Sequence, residues 1–277
     1  MRLETKRKDK KMINIIRSLN YTTRRSILAV LTVFSMIVIP ILFSMFSMKL
    51  EGGFSFKDLD GGMYMAAISG NVIILFVIAI LIFSTLIVGS DAGDKTINYE
   101  LMNGHSRSRV FWARIICGYR WAVLLVMLLF FLPFVYFTLI NGWGLSVDKV
   151  EAAKRLILLI FPIIRICSLF MMITSISRSA GRGAAVSYLA MMVIVMAGSI
   201  LEDGFGIDTT NIFATSDIAW IMTSENGRNV VINGHKVVKM DYAVSSGKMI
   251  QTIVVSLVVS AVYLTIAYIV FKKKDRD

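Results

Sequence analysis

The chain has 277 residues, of which 56% are hydrophobic and only 17% charged. A single soluble domain of this size needs more polar surface, so the composition predicts a membrane protein. The formal net charge of +12 lies almost entirely outside the apolar segments, which favours orientation in a bilayer over nucleic-acid binding. Two cysteines exclude a disulfide scaffold, and two histidines leave little for a multi-histidine metal site.

Six apolar segments are long enough, at about 20 helical residues each, to cross a hydrocarbon core. They cover residues 26–48, 71–89, 121–140, 156–176, 183–201 and 249–271. Helices are expected because a segment surrounded by lipid must satisfy its backbone hydrogen bonds internally. The predicted fold is therefore an all-α polytopic membrane protein, with six transmembrane helices in a domain over residues 26–271.

Positive charge is unequally distributed between the two sets of connecting segments. One set comprises residues 1–25, 90–120, 177–182 and 272–277, with 20 Lys and Arg against 7 Asp and Glu. The other comprises residues 49–70, 141–155 and 202–248, with 9 Lys and Arg against 11 Asp and Glu. The positive-inside rule predicts that the first set, and so both termini, is cytoplasmic.

The cytoplasmic N-terminus, residues 1–25, contains a basic run followed by an amphipathic stretch. Met12, Ile15, Ile16 and Leu19 have the i, i+3, i+4, i+7 spacing of one helical face. This spacing predicts an interfacial helix that leads into the first span. The basic run at residues 6–11 also fits a simpler interpretation, in which it only sets the topology.

The loop between the second and third spans, residues 91–116, predicts a helix, a break and a second helix. A short helix over residues 95–102 is expected to end at Asn103 and Gly104, a pair typical of a left-handed C-terminal cap. Ser106 is expected to cap the helix that continues into the third span. A short helix held at the membrane surface suits docking into a partner's groove. The alternative is a generic charged loop.

The same loop carries a pattern of an acidic residue five before a threonine, then a leucine, a glycine, a Ser-Arg pair and a basic residue. These residues are Asp91, Thr96, Leu101, Gly104, Ser106, Arg107 and Arg114. The pattern resembles the permease subunits of type-2 ATP-binding-cassette (ABC) exporters, a family that includes drug, bacteriocin-immunity and peptide-antibiotic export systems. Lys95 departs from the glycine often found there. Family members have six spans, cytoplasmic termini, an amphipathic N-terminal helix and a coupling helix in this loop.

The resemblance implies a permease that binds no cofactor itself and exports a peptide, an antibiotic or another amphipathic or apolar molecule. ATP and Mg²⁺ would be bound by soluble ABC ATPase subunits, and a second permease chain, identical or related, would complete the pathway. It also implies the cytoplasmic membrane of a bacterium and a role in antibiotic resistance or immunity. The residues implied to contact the ATPase are Asn98, Tyr99, Glu100, Leu101, Met102, Gly104 and His105. Those implied to brace the loop are Asp91, Thr96, Ser106, Arg107 and Arg114.

The chain has no recognisable nucleotide site or catalytic set of its own. Asp94 stands before Lys95, where a phosphate-binding loop requires glycine. A stand-alone secondary transporter is an alternative function, but the predicted spans contain no Asp or Glu for ion coupling. A toxin-binding immunity or sensor protein is a further alternative that the sequence leaves open.

Arg165 is the only charged residue within the six predicted spans, and it follows Pro162 by three positions. A charge at that depth is unfavourable unless it is paired or hydrated. Two interpretations are open: a guanidinium facing a watery or substrate-accessible interior, and a structural side chain bonded to neighbouring helices. Pro40, Pro133 and Pro162 likewise predict either hinges in a transport pathway or ordinary helix kinks.

The outer segment, residues 202–248, is too long for a simple turn. An amphipathic helix is predicted over residues 211–222, lying in or dipping into the outer leaflet. Asn233 and Gly234 are the preferred pair for a two-residue hairpin turn. This small external helix-plus-hairpin segment is expected to act as a lid or as a stable cap over the bundle. His235, beside the turn, is expected to be a surface residue and not a ligand.

Overall fold

The computed structural model describes residues 2–50, 60–65, 73–89, 102, 104–177, 179–223, 227–232, 235–240 and 243–273. The helices are α1 (Arg2–Arg25), α2 (Ile27–Leu50), α3 (Gly61–Met63), α4 (Ile73–Gly89), α5 (Arg107–Asn141), α6 (Lys149–Ser177), α7 (Ala180–Ser199), α8 (Ala214–Met222) and α9 (Ser246–Lys273). A π-helical turn, Ile200–Gly204, extends α7. Strands β1 (Gly227–Ile232) and β2 (His235–Met240) form an antiparallel hairpin that runs from Gly227 opposite Met240 to Ile232 opposite His235.

Four helices are long and apolar enough to cross a membrane, and they indicate a membrane protein. They are Arg107–Asn141, Lys149–Ser177, Ala180–Gly204 and Ser246–Lys273, and each contains one of the four predicted spans between residues 121 and 271. A fifth candidate arises if Met12–Arg25 and Ile27–Ile39, which meet at 68°, form one broken span. The remaining apolar helix, α4, has 17 residues. The described residues therefore contain four or five candidate spans, where the sequence predicted six.

The main core lies among α4, α5 and α6, and α8 contributes to it from one end. Phe76 of α4, Phe130 of α5 and Phe170 of α6 are almost completely buried in one cluster. Ile218 and Ile221 of α8 belong to the same cluster. Residues of the predicted outer segment thus pack inside the bundle.

The predicted apolar stripe of α1 packs against protein at the start of α5. Ile15 is buried beside Val110 and Ala113. The other stripe residues, Met12, Ile16 and Leu19, surround this contact together with Phe271 near the end of α9. The first helix, the start of α5 and the end of α9 therefore meet at one end of the bundle, which we call the terminal end.

The described parts of the three predicted outer segments meet at the opposite end, which we call the loop end. The backbone N–H groups of Gly61 and Gly62 donate to the carbonyl oxygens of Gly142 and Trp143, at 3.0 and 2.9 Å. Glu151, near the start of α6, accepts a 3.4 Å hydrogen bond from the backbone of Val244. Segments from three separate regions of the chain thus form one surface.

Replacing Ile15 by Asp is expected to lower the free energy of unfolding by about 3–5 kcal/mol, because it removes a buried side chain and places a charge against α5. Unfolding can be followed with a thiol-reactive fluorophore, since Cys117 and Cys167 are both buried and free. Ile13→Asp is the matched control, because Ile13 lies on the same helix and is 47% exposed. Equal losses of stability in the two variants would contradict the packing of α1 on α5.

Candidate functional site

Most of the predicted ATPase-docking loop lies outside the described residues. These positions are Asp91, Thr96, Asn98, Tyr99, Glu100 and Leu101. Met102 is helical and 82% exposed. Gly104 has a φ of +75°, the left-handed conformation expected of a helix C-terminal cap.

The helix after the loop begins where the sequence predicted. Arg107 is the first residue of α5 and Ser106 occupies the N-cap position, although the Ser106 side chain makes no capping hydrogen bond. His105 precedes this cap and is half-buried. Arg114, predicted to brace the loop, is 2% exposed, so it lies inside the bundle, next to the Ala113 contact with α1.

Arg165 of α6 binds α8 and the residues that precede it. Its Nη1 lies 3.3 Å from Oδ2 of Asp217 and also donates to the carbonyl oxygen of Asn211 at 3.3 Å. Its Nη2 donates to the carbonyl oxygen of Ile212. The acidic partner comes from outside the predicted spans, and the two carbonyl groups belong to the outer segment. This geometry is that of a structural side chain bonded to a neighbouring element.

Asp217 completes this contact from the other side. Its side chain is fully buried, and Oδ1 accepts a 2.7 Å hydrogen bond from the backbone N–H of Asn211. Burial raises the pKa of the Asp217 carboxyl, while that hydrogen bond and the Arg165 guanidinium act to lower it. The Asn211 side chain in turn accepts a 3.0 Å hydrogen bond from Thr252 of α9. The cluster therefore joins α6, α8 and α9.

The predicted start of the outer helix at residue 211 is wrong, because α8 begins at Ala214. Asn211 has a φ of +69°, a left-handed conformation that asparagine tolerates better than most residues but that a helix cannot contain. In this conformation its carbonyl group faces Arg165 and its N–H group faces Asp217.

A second arginine of α6, which the sequence did not single out, holds the other end of α8. Nη1 of Arg155 donates to the carbonyl oxygens of Trp220, Ile221 and Thr223 at 3.0, 3.0 and 3.1 Å. A cation is favourable there because the last carbonyl groups of a helix lack intrahelical donors and carry partial negative charge.

The two arginines define the path of α8. They are ten positions apart on α6, about 15 Å at the helical rise, and the nine residues of α8 span about 13.5 Å. The start of α8 contacts Arg165 and its end contacts Arg155, which lies closer to the loop end. Consequently α8 runs antiparallel to α6, enters the bundle and leaves it at the same end.

A cavity of about 960 Å³ lies beside α8 at the loop end. It is bounded by the start of α4, the end of α7, α8 and the start of α9. Its lining includes apolar residues, three carboxylates and the side chains of Trp220 and Lys248. Among the described residues, no group of three or more His, Cys, Asp or Glu could hold a metal ion.

The described chain is thus a predominantly helical protein with four apolar helices of membrane-spanning length and a short helix inserted from one end. No known family model matches it, and no curated protein matches its sequence significantly.

Proposed function

We propose that the chain is the transmembrane permease subunit of an ATP-driven exporter of the type-2 ABC class, with no nucleotide site of its own. Six spans, cytoplasmic termini and a cytoplasmic-membrane location are part of this proposal. The resemblance in the loop at residues 91–116 motivates it. The structural observation that carries it is the continuity of α5, which begins within that loop at Arg107 and continues through the third predicted span.

Helix α5 connects the two ends of the bundle. It has 35 residues, about 52 Å at the helical rise, and runs from Arg107 to Asn141. Its first turns are packed against α1 through Ile15, and the residues after it contact Gly61 at the loop end. A displacement of the loop would therefore move α1 and α5 together and be transmitted across the whole bundle.

The proposed cycle assigns ATP and Mg²⁺ to two soluble ATPase subunits that dock on the loops of two permease chains in the bilayer. Closure of the ATPases would draw the loops together and change the exposure of the pathway between the chains. The basic last turns of α1 and α9, with Arg24, Arg25, Lys272 and Lys273, support a cytoplasmic position for the terminal end. The loop end would then face outward. In this proposal, the exported molecule is amphipathic or apolar.

Purification of the chain from its native cell in mild detergent should recover an ATPase subunit. The recovered protein must contain a phosphate-binding loop, identified by mass spectrometry, to count as that subunit. Changing Tyr99, Leu101 and Met102 together to Asp should abolish its recovery, because charged side chains would be desolvated in the apolar docking groove.

The matched control is the double variant Leu145→Asp and Phe205→Asp. Both side chains are exposed, by 55% and 71%, and both lie at the loop end, so ATPase recovery should be unchanged. Recovery of the wild-type chain alone across several detergents would overturn the proposed function. Loss of the ATPase in the control variant as well would overturn the position of the docking surface.

A further inference from the structure

The cavity beside α8 contains a cation supplied by the chain itself. Nζ of Lys248 lies 4.5 Å from the centroid of the Trp220 ring and 3.9 Å from Oδ2 of Asp208. An ammonium group over an indole face and near a carboxylate is held by two attractive interactions at once. The Lys248 side chain is still 32% exposed, so this position is open to the cavity.

The accessible charges around this position are mainly negative. Glu202, Asp203 and Asp208 line the cavity and are exposed. Hydrogen bonds from the hydroxyl and the backbone N–H of Thr210 lower the pKa of Asp208, which keeps it ionised at neutral pH. A second cation in the lining, Arg155, is 5% exposed and directed at the carbonyl groups that end α8. Among the lining residues that the structure describes, three carboxylates therefore face one accessible ammonium group.

The same cavity has an apolar side. Met191, Met192 and Val195 of α7 and Ile73 of α4 belong to its lining. Methionine side chains are flexible and polarisable and adapt to ligands of different shape. The volume of about 960 Å³ lies within the range of ligand sites, which is about 300–1,000 Å³.

We propose that this cavity binds an amphiphile that has a primary ammonium group and an apolar part, and that the ammonium group replaces Lys248 over the Trp220 ring. Without ligand, the Lys248 ammonium group occupies the position that the ligand's ammonium group would take. The three carboxylates attract the incoming charge, and the methionines and Val195 contact the apolar part. Binding of this ligand does not require the ATPase, so a failure of ligand binding can be distinguished from a failure of the proposed exporter function.

The test uses the full-length chain in phosphatidylcholine nanodiscs and two peptides, acetyl-Leu-Lys-Leu-amide and acetyl-Leu-Glu-Leu-amide, with binding measured by equilibrium dialysis. The lysine peptide should bind saturably and at least about tenfold more tightly than the glutamate peptide. The Lys248→Gln variant should bind the lysine peptide about fivefold more tightly, since the competing internal cation is gone.

Variants at the carboxylates separate this site from general attraction of the peptide to an acidic surface. Glu202→Gln, Asp203→Asn and Asp208→Asn combined should weaken binding of the lysine peptide at least about tenfold. Asp148→Asn, an exposed acid at the same end that does not line the cavity, should leave it unchanged. Equal affinity for the two peptides, or weaker binding by Lys248→Gln, would overturn the proposal. Loss of binding in Asp148→Asn as large as in the triple variant would do so too.

Discussion

Replacing Arg165 by Met is expected to lower the free energy of unfolding by about 3–5 kcal/mol, because it leaves a carboxylate buried without its cation. Asp217 is fully buried, and two carbonyl groups of the preceding segment also depend on the guanidinium. Thermal unfolding in detergent, followed by intrinsic tryptophan fluorescence with Trp220 of α8 as one reporter, measures the loss. Asp217→Asn should be milder, since Arg165 then keeps both carbonyl partners.

The same variant should acquire a characteristic pH dependence. Burial already raises the pKa of Asp217, and the Arg165 charge opposes that rise. Without Arg165 the pKa should rise further, so the folded state prefers the protonated carboxyl. When the folded-state pKa is higher than the unfolded-state pKa, protonation of the carboxyl stabilises the folded state. This stabilisation is complete below the unfolded-state pKa and is lost as pH rises through the folded-state pKa. Arg165→Met should therefore regain stability as pH falls from neutrality toward the unfolded-state pKa of about 4.

The double variant Arg165→Met and Asp217→Asn supplies the control for this titration. It has no ionisable group in the pair, so its recovery of stability on acidification should be absent or much smaller. If Arg165→Met and the double variant respond equally to pH, then Asp217 is not the titrating group and the assignment fails.

The apolar helices could be predicted from sequence because hydropathy over about 20 residues is a local property. Hydropathy did not give their ends. α6 begins at Lys149 and not at residue 156, and the start of α5 at Arg107 followed from the predicted cap at Ser106 and not from hydropathy. Hydropathy falls where charged residues begin, but lysine, arginine and glutamate are good helix formers, so the helix continues beyond the apolar part.

The partner of Arg165 was missed because it lies 52 positions away in a segment assigned to the outside. The sequence nevertheless contained a signal. Ala214, Asp217, Ile218 and Ile221 have the i, i+3, i+4, i+7 spacing of one helical face, and the structure buries all four. A carboxylate on an apolar face requires a cation or a proton. Arg165 was the one charged residue within the predicted spans, and its guanidinium group required an anionic partner.

The loop at residues 91–116 shows a different limit of prediction. The left-handed conformation of Gly104 and the start of the following helix at Arg107 could both be derived from local sequence. Which of its side chains would contact the proposed ATPase depends on the shape of a groove in another chain. Nothing in this chain encodes that shape, so those contacts remain predictions for the purification experiment.

Gly89→Val is expected to destabilise the chain by about 3 kcal/mol, through overpacking at the last residue of α4. A Cβ atom at Gly89 would lie 2.6 Å from Cα of Ala180 and 2.8 Å from Cγ2 of Thr174. The nearest atom belongs to the backbone, so no side-chain rotation can relieve the clash. The end of α4 would have to move away from the connection between α6 and α7.

That movement has an expected consequence beyond stability, because the loop that we propose to bind the ATPase follows Gly89 directly. Gly89→Val should lower both the unfolding temperature and the recovery of the ATPase subunit. Gly181→Ala is the matched control at the same connection, since a Cβ there meets nothing within 4 Å and alanine is a better helix former. It should keep wild-type recovery and equal or slightly higher stability. If Gly89→Val keeps both the wild-type unfolding temperature and the wild-type recovery of the ATPase, the contact between Gly89 and Ala180 can be opened without consequence. In that case α4 does not fix the start of the loop.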